Sequence, residues 1–289
     1  MDLNLIRVFV AIYETRSLTA TALRLFVTQP AVSQSLGRLR RELDDPLFER
    51  DGRVMQPTPL AVSIFPGFRD AVAGIDRTLD EVRGFDPASS ERVFRIALSE
   101  LGEIGWMPAI LKAVREQAPR MRIEVVPLDI EALPEWLARG VVDLAVTPSP
   151  VPGRFEHVLL KSQNYGVAMS VAHPLADRPL SLASFLEADH VIVAGDSGLP
   201  DVTAALARLG VILEPHVRVN HFTSLPLLLA DDDSLVATVP DTIASGWALT
   251  WPLVVKALPF EMPAVNVRLF RRATTQQTAA LDWLYSTVA

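Results

Sequence analysis

Gln29, Pro30, Ser33, Gln34, Gly37, Arg38 and Arg41 fall within one short segment of a 289-residue chain, and their types suit a surface rich in donors, acceptors and negative charge. An amide side chain pairs a donor with an acceptor, a hydroxyl offers either, and a guanidinium forks onto a phosphate or a purine edge. Counting about 100° per residue from an apolar stripe of Val32, Leu36, Leu39 and Leu43, the positions Pro30, Gln34, Gly37 and Arg41 point directly away from the stripe. Ser33 and Arg38 lie on its flanks, Gln29 stands at the start, and Gly37 has no side chain to hold the helix off a groove floor. Any solvated polar helix face has the same spacing, so the pattern leaves both readings open.

The elements that must position this face are short helices. Ile6, Phe9, Val10 and Tyr13 recur at helical spacing and predict a helix from about Leu3 to Thr15. Ser17 can cap a second helix, about Leu18 to Leu25, whose Ala20, Thr21 and Ala22 let a neighbour approach closely. After a turn at Phe26-Val27, Thr28 can cap the third, with Pro30 in its first turn where no donor is needed. Leu47 to Met55 reads as a hairpin around an Asp51-Gly52 turn signal, with Arg50 and Arg53 projecting from it. From Thr58 to Phe85, Leu60, Ile64, Phe68, Val72, Ile75, Leu79 and Val82 form one apolar stripe. Such a helix packs on its own body or pairs with its copy in a dimer, and its length and unbroken stripe favour the dimer. Pro66-Gly67 is expected to kink or interrupt it.

Composition bounds the rest. The 49% of hydrophobic residues excludes a disordered chain, and the absence of cysteine excludes disulfides, thiolate metal sites and cysteine nucleophiles. No apolar run approaches the roughly 18 residues of a membrane span, and Asp2 and Arg7 interrupt any signal-peptide core, so a soluble cytoplasmic protein without a membrane partner is expected. The net charge of -7 argues against a polyanionic partner until its distribution is considered. Residues 1–60 carry eight arginines against seven acids, and the acidity lies downstream. Gly84 to Ser90 is polar and turn-forming and marks a boundary. Beyond it, strand-like segments such as Val93 to Ser99, Ile123 to Leu128 and Gly166 to Val171 alternate with helical ones such as Met107 to Gln117, Val202 to Leu209 and Gln276 to Val288. This alternation predicts an α/β domain on a mostly parallel sheet. Gly195-Asp196-Ser197-Gly198 has the letters of a serine-protease nucleophile, but that fold is all-β and five scattered histidines assign no base, so an enzyme is not expected. Asp231-Asp232-Asp233 lacks the further spaced oxygen ligands of a metal loop and reads as a solvated turn.

Ser17 to Leu25, Thr28-Gln29-Pro30-Ala31-Val32-Ser33-Gln34-Ser35-Leu36, Leu39, Asp45-Pro46-Leu47-Phe48-Glu49-Arg50 and Pro57-Thr58-Pro59 together resemble the signature of the LysR-type transcriptional regulators. Leu137-Ala138-Arg139-Gly140, Val142-Asp143-Leu144-Ala145-Val146 and His173-Pro174-Leu175 are similar to pieces of that family's effector domain. Thr21, where the family has the first of paired alanines, and Pro66 in the linker helix depart from its pattern. The resemblance implies an α/β protein overall. An all-α winged helix-turn-helix at residues 1–58 and a linker or dimerisation helix at 59–90 precede a two-lobed effector-binding domain at 91–289, of the type 2 periplasmic-binding-protein kind. Lobe I would comprise about 91–161 and 268–289, and lobe II about 162–267. It further implies that Thr28, Gln29, Pro30, Ser33 and Gln34 meet the major groove of double-stranded DNA, that Arg38 lies beside a phosphate, and that Arg50 and Arg53 reach backbone or minor groove. Homodimers through the linker helix, pairing into tetramers, a small-molecule co-inducer, contact with RNA polymerase and no cofactor follow from the same source.

By that resemblance the chain crosses between lobes near Lys161 to Tyr165 and near Ala264 to Arg268. Ligands of α/β sheets bind beyond strand ends, so the effector candidates are Ser99, Glu100, Thr147, Pro148, Asp196, Ser197, His221 and Phe222. Ser99 and Thr147 serve equally as caps of the following turns, and His221 as a satisfied surface histidine. The neighbourhood of His221-Phe222 resembles the branch that senses small aromatic compounds. Two rivals stand beside this reading: a cytoplasmic small-molecule binding protein whose head only mediates assembly, and a hydrolase built on the α/β half. Neither accounts for the arginine-bearing hairpin.

Overall fold

In the computed structural model, which describes residues 2–52, 54–273 and 278–289, short polar side chains start every helix of the N-terminal unit, Met1–Phe85. Asp2 accepts from the Asn4 amide at 2.9 Å and opens α1 (Leu3–Thr15). Ser17 and Thr28 do the same for α2 (Leu18–Arg24) and α3 (Gln29–Leu43), accepting from Ala20 and Ala31. The deepest side chains are Phe9, Ile12, Val32, Leu36, Leu39, Leu47 and Phe48. α1 thus faces inward along Leu5, Val8, Phe9 and Ile12, a stripe rotated from the expected one. Val10 is buried, but Ile6 and Tyr13 are only partly so, and the Tyr13 ring stacks on Phe65 at 3.8 Å.

β1 (Phe48–Asp51) and β2 (Val54–Pro57) pair antiparallel with Asp51 opposite Val54, so Asp51 belongs to the first strand and not to the turn that the Asp-Gly signal suggests. Gly52 holds φ +58°, a backbone that glycine adopts at no steric cost. Asp45 fastens the base of this hairpin: its carboxylate accepts from the Leu47 amide at 2.6 Å and the Thr58 hydroxyl at 2.7 Å. Thr58 then caps α4 (Pro59–Arg83), which runs through Pro66–Gly67 without interruption. Its first half packs Leu60, Ile64, Phe65, Phe68 and Val72 on the core of its own unit, so that part of the stripe is used within the chain. The roughly 3 kcal/mol cost of an interior proline is offset there, since full burial of one large apolar side chain is worth about 1.5–3 kcal/mol. The Leu79 and Val82 side chains lie outside the described residues.

In the second unit, Asp86–Ala289, the chain lays down β3 (Val93–Leu98), α5 (Glu100–Gln117), β4 (Arg122–Pro127), α6 (Leu133–Arg139), β5 (Leu144–Thr147) and β6 (Phe155–Gln163). It crosses at Asn164 into β7 (Tyr165–Ser170), α7 (Leu182–Glu187), β8 (Asp189–Val193), α8 (Leu199–Arg208), β9 (Val217–Val219), α9 (Leu225–Asp231), β10 (Leu235–Pro240), α10 (Asp241–Trp247) and β11 (Leu253–Ala257). It returns as β12 (Val265–Arg272) and α11 (Ala279–Val288). The strands form two five-stranded sheets, ordered β4-β3-β5-β12-β6 and β11-β7-β10-β8-β9.

Both sheets are mixed, which corrects the expectation of mostly parallel pairing. β3 runs parallel to β4 and β5, and β8 to β9 and β10, but β12 runs against both its neighbours and so does β7. Those two are the strands that arrive from the other sheet. Helix-connected strands come back in one direction, and a strand delivered across the gap enters from the opposite end.

Three further differences have local causes. α5 starts seven residues before the expected Met107 because the Ser99 hydroxyl accepts from the Gly102 amide at 3.2 Å. A Cβ at Gly102 would sit 3.2 Å from the Leu98 side chain, so glycine there lets the helix lie close on β3. β6, an edge strand with mixed exposure, and α7, opened by a Ser181–Ser184 capping box, carry patterns too weak to be anticipated. Of the expected last helix, Gln276 lies outside the described residues, and Thr278 caps α11.

Candidate functional site

α3 presents the expected face. Its core side is Val32, Leu36 and Leu39, while Gln29, Pro30, Ser33, Gln34 and Arg38 are exposed, as is the capping Thr28. Among the described residues, the side chains of Gln29, Ser33, Gln34 and Arg38 have no hydrogen-bond partner within the chain. A Cβ at Gly37 would meet nothing within 4 Å, so this part of the surface is open. Other arginines nearby are engaged: Arg40 donates to the Pro46 carbonyl at 2.7 Å and the Phe48 carbonyl at 2.6 Å, tying α3 to the hairpin, and Arg41 turns back onto the Gly37 carbonyl. Arg50 is exposed on β1 with its Nε on the Gly52 carbonyl at 3.1 Å, and Arg53 lies outside the described residues. The arrangement displays donors, acceptors and positive charge on one rigid helix beside an arginine-bearing hairpin, a geometry suited to a groove and its phosphates.

In the second unit a cavity of about 500 Å³ opens between the two sheets. Ser99, Pro148 and Ser197 line it, together with Lys161 and Tyr165 from the expected crossing between lobes and with Trp106, Thr242 and Trp247, none of which the sequence marks as a ligand contact. Lys161 is the one charged side chain in a lining that is otherwise aromatic, aliphatic and hydroxyl-bearing apart from the Gln163 amide. Trp106 lies before the expected start of α5 at Met107, and Trp247 ends α10.

The other candidates are placed differently. Thr147 is buried, and its hydroxyl accepts from the Ser149 amide at 3.0 Å. Asp196 is buried behind the cavity, accepting from the Tyr165 hydroxyl at 3.1 Å and the Gly198 amide at 2.9 Å. Burial pushes the Asp196 carboxyl above its usual range against those hydrogen bonds, and burial together with the Asp196 charge pushes the Tyr165 phenol up.

Glu100, His221 and Phe222 line a second cavity of about 400 Å³. The Glu100 carboxylate accepts from the Phe222 amide at 2.9 Å, the Thr223 amide at 3.1 Å and the Thr223 hydroxyl at 2.9 Å, with His221 at 3.5 Å. It therefore clasps the start of α5 in one lobe to the segment after β9 in the other. Burial opposes the charge, but the donors from Thr223 and Phe222 outweigh it and hold the carboxyl below the usual range. Asp232 accepts from the Ser234 amide and hydroxyl, which makes the acidic run a closed turn.

Residues 3–61 match the bacterial regulatory helix-turn-helix proteins of the lysR family, and residues 87–289 match the LysR substrate binding domain. The chain belongs to the LysR family. As a LysR-type protein it is a DNA-binding transcription regulator that responds to a small molecule through its second unit, and it is not an enzyme. It is 34% identical over 98% of its length, and 95% of the relative's, to the HTH-type transcriptional activator NahR of Pseudomonas putida. It is 33% identical, with the same coverage, to the HTH-type transcriptional activator NagR of a Ralstonia species. A crystal structure of the probable transcriptional regulator PA0477 from Pseudomonas aeruginosa matches all of this chain and 96% of that one, with a TM-score of 0.82 and 29% identity. Full-length CbnR in complex with its target DNA shares the fold at a TM-score of 0.67 and 18% identity, covering 100% of this chain and 99% of that one. Among the described residues no helix is long and apolar enough to cross a membrane.

Proposed function

We propose that this LysR-type regulator reads operator DNA with α3, placing Thr28, Gln29, Pro30, Ser33 and Gln34 in the major groove, Arg38 beside a phosphate, and Arg50 and Arg53 of the hairpin on backbone or minor groove. The observation that carries this is the set of exposed α3 side chains with no hydrogen-bond partner among the described residues. A polar group left without a protein partner on a rigid helix costs nothing in water and is ready to exchange that water for a base edge.

In this reading residues 1–58 bind DNA, 59–90 pair two copies, and 91–289 bind the effector. Dimers formed through the later part of α4 assemble into tetramers, act on DNA in the cytoplasm, and contact RNA polymerase to raise transcription, as the names of the two activator relatives suggest. The effector is a small aromatic molecule with a polar or acidic group. Trp106 and Trp247 supply apolar faces for it, and Lys161 the matching charge.

Selection of duplexes from a random pool by the full-length protein tests the reading. Enrichment of one sequence with two related half-sites is expected, and a pool that stays random would contradict it.

A further inference from the structure

Phe26 stands in the turn between α2 and α3 with 96% of its surface exposed, and it is flanked by Leu23 at 74% and Val27 at 46%. Its backbone is also expensive. The Phe26 amide donates to the Leu23 carbonyl at 3.3 Å and the Val27 amide to the Ala22 carbonyl at 3.0 Å, which closes the end of α2 in a Schellman motif. That motif needs a left-handed residue at the position Phe26 occupies, and Phe26 has φ +54°. Glycine meets this requirement without a Cβ penalty, and a bulky side chain does not.

Four non-glycine residues among those described have such a backbone. Leu47 is buried in the core, Arg16 lies over the Tyr13 ring at 4.2 Å, and Asp44 belongs to a type that tolerates it. Phe26 has neither burial nor a ring contact within the protein to set against the strain and the wetted ring. Retention of an apolar side chain at both costs points to something outside the chain that covers it.

We propose that Phe26 reads DNA, its ring packing on a thymine methyl group beside the bases met by α3. Its place fits that occupant. It lies two residues before Thr28 and three before Gln29, at the end of α3 proposed to enter the groove, so its patch is continuous with the proposed DNA-facing surface, and the thymine methyl is the one apolar feature of the major-groove edge. The inference rests on the reading of α3 given above.

The test uses the full-length protein, the duplex it selects from a random pool, and a copy of that duplex carrying deoxyuridine for every thymidine. The copy lacks the methyl groups and keeps the pairing. Wild type should bind the copy about tenfold more weakly. Phe26→Ala and Phe26→Gly should bind the thymidine duplex with a similar loss and should not distinguish the two duplexes. Phe26→Gly should melt no lower than wild type, because glycine suits the left-handed position, so its lost affinity cannot be lost folding.

Wild-type affinity in both Phe26 variants overturns the proposal and leaves the patch to a protein surface. Sensitivity to deoxyuridine that survives in the variants, or a wild type indifferent to it, overturns the thymine contact. Loss in Gln34→Ala without loss in the Phe26 variants would leave the α3 reading standing and remove this inference alone. A wild-type protein that selects no duplex removes both.

Discussion

On α3, Gln29, Ser33, Gln34 and Arg38 present side chains with no partner among the described residues, whereas at the strand ends of the second unit Glu100, Thr147 and Asp196 are all engaged by other parts of the chain. Both sets were chosen from sequence by position, one by helical angle and one by its place after a strand. The difference teaches that an exposed helix face leaves its polar groups open to solvent or to an outside molecule. The mouth of a two-lobed domain divides them between holding the lobes and lining the space between, as Ser99 and Ser197 do.

The contrast can be broken from the buried side first. Asp143 accepts from the Arg92 guanidinium at 3.3 Å and the Arg95 amide at 2.9 Å, with both side chains of the Arg92 pair almost fully buried. Asp143→Ala leaves a buried cation short of its counter-charge and should cost about 3–5 kcal/mol in the second unit, read as a lowered unfolding midpoint. A change below about 1 kcal/mol would show that the pair contributes little.

Glu100→Ala comes next. Losing the carboxylate that holds Phe222 and Thr223 should cost about 1–2 kcal/mol and speed hydrogen exchange at those two amides roughly tenfold. The folded carboxyl lies below its usual range, so the clasp is fully present above the ordinary glutamate value and is lost as pH falls through the depressed one. The difference between wild type and Glu100→Gln should therefore hold at neutral pH and shrink in acid; a difference that grows in acid would contradict the assignment. Smallest of all, Gln34→Ala should leave the unfolding midpoint unchanged to within about 0.5 kcal/mol, because the side chain is exposed and has no hydrogen-bond partner among the described residues, and a larger shift would mean that it supports the fold.

Where the sequence is legible depends on how far a residue's partners lie along the chain. The stripe Val32, Leu36 and Leu39 fixes which way α3 turns, and the opposite face follows from angles alone. Asp2, Ser17, Thr28 and Thr58 cap helices three residues or fewer away, and such local signals were readable in Ser17 and Thr28. Glu100 finds its donor 122 residues later in Phe222, and Tyr165 meets Asp196 across 31, so nothing local distinguishes a clasp from a ligand contact. The reversed strands β7 and β12 were missed for a similar reason: their direction is set by crossing between sheets, which leaves no mark on their apolar pattern. The first half of α4 was expected to serve a second copy, but it is held by Phe9 and its neighbours. A stripe shows that a face must be covered, and it does not show by what.

The most direct test of the account is fluorescence anisotropy of wild type and Gln34→Ala on the selected duplex and a shuffled copy, across a salt series. The account predicts that wild type prefers the selected duplex and that binding to both weakens steeply with salt. The variant should lose about tenfold or more of that preference while keeping the salt slope. Equal binding of both duplexes by wild type, or an unchanged preference in the variant, would contradict the claim that the outward face of α3 reads sequence.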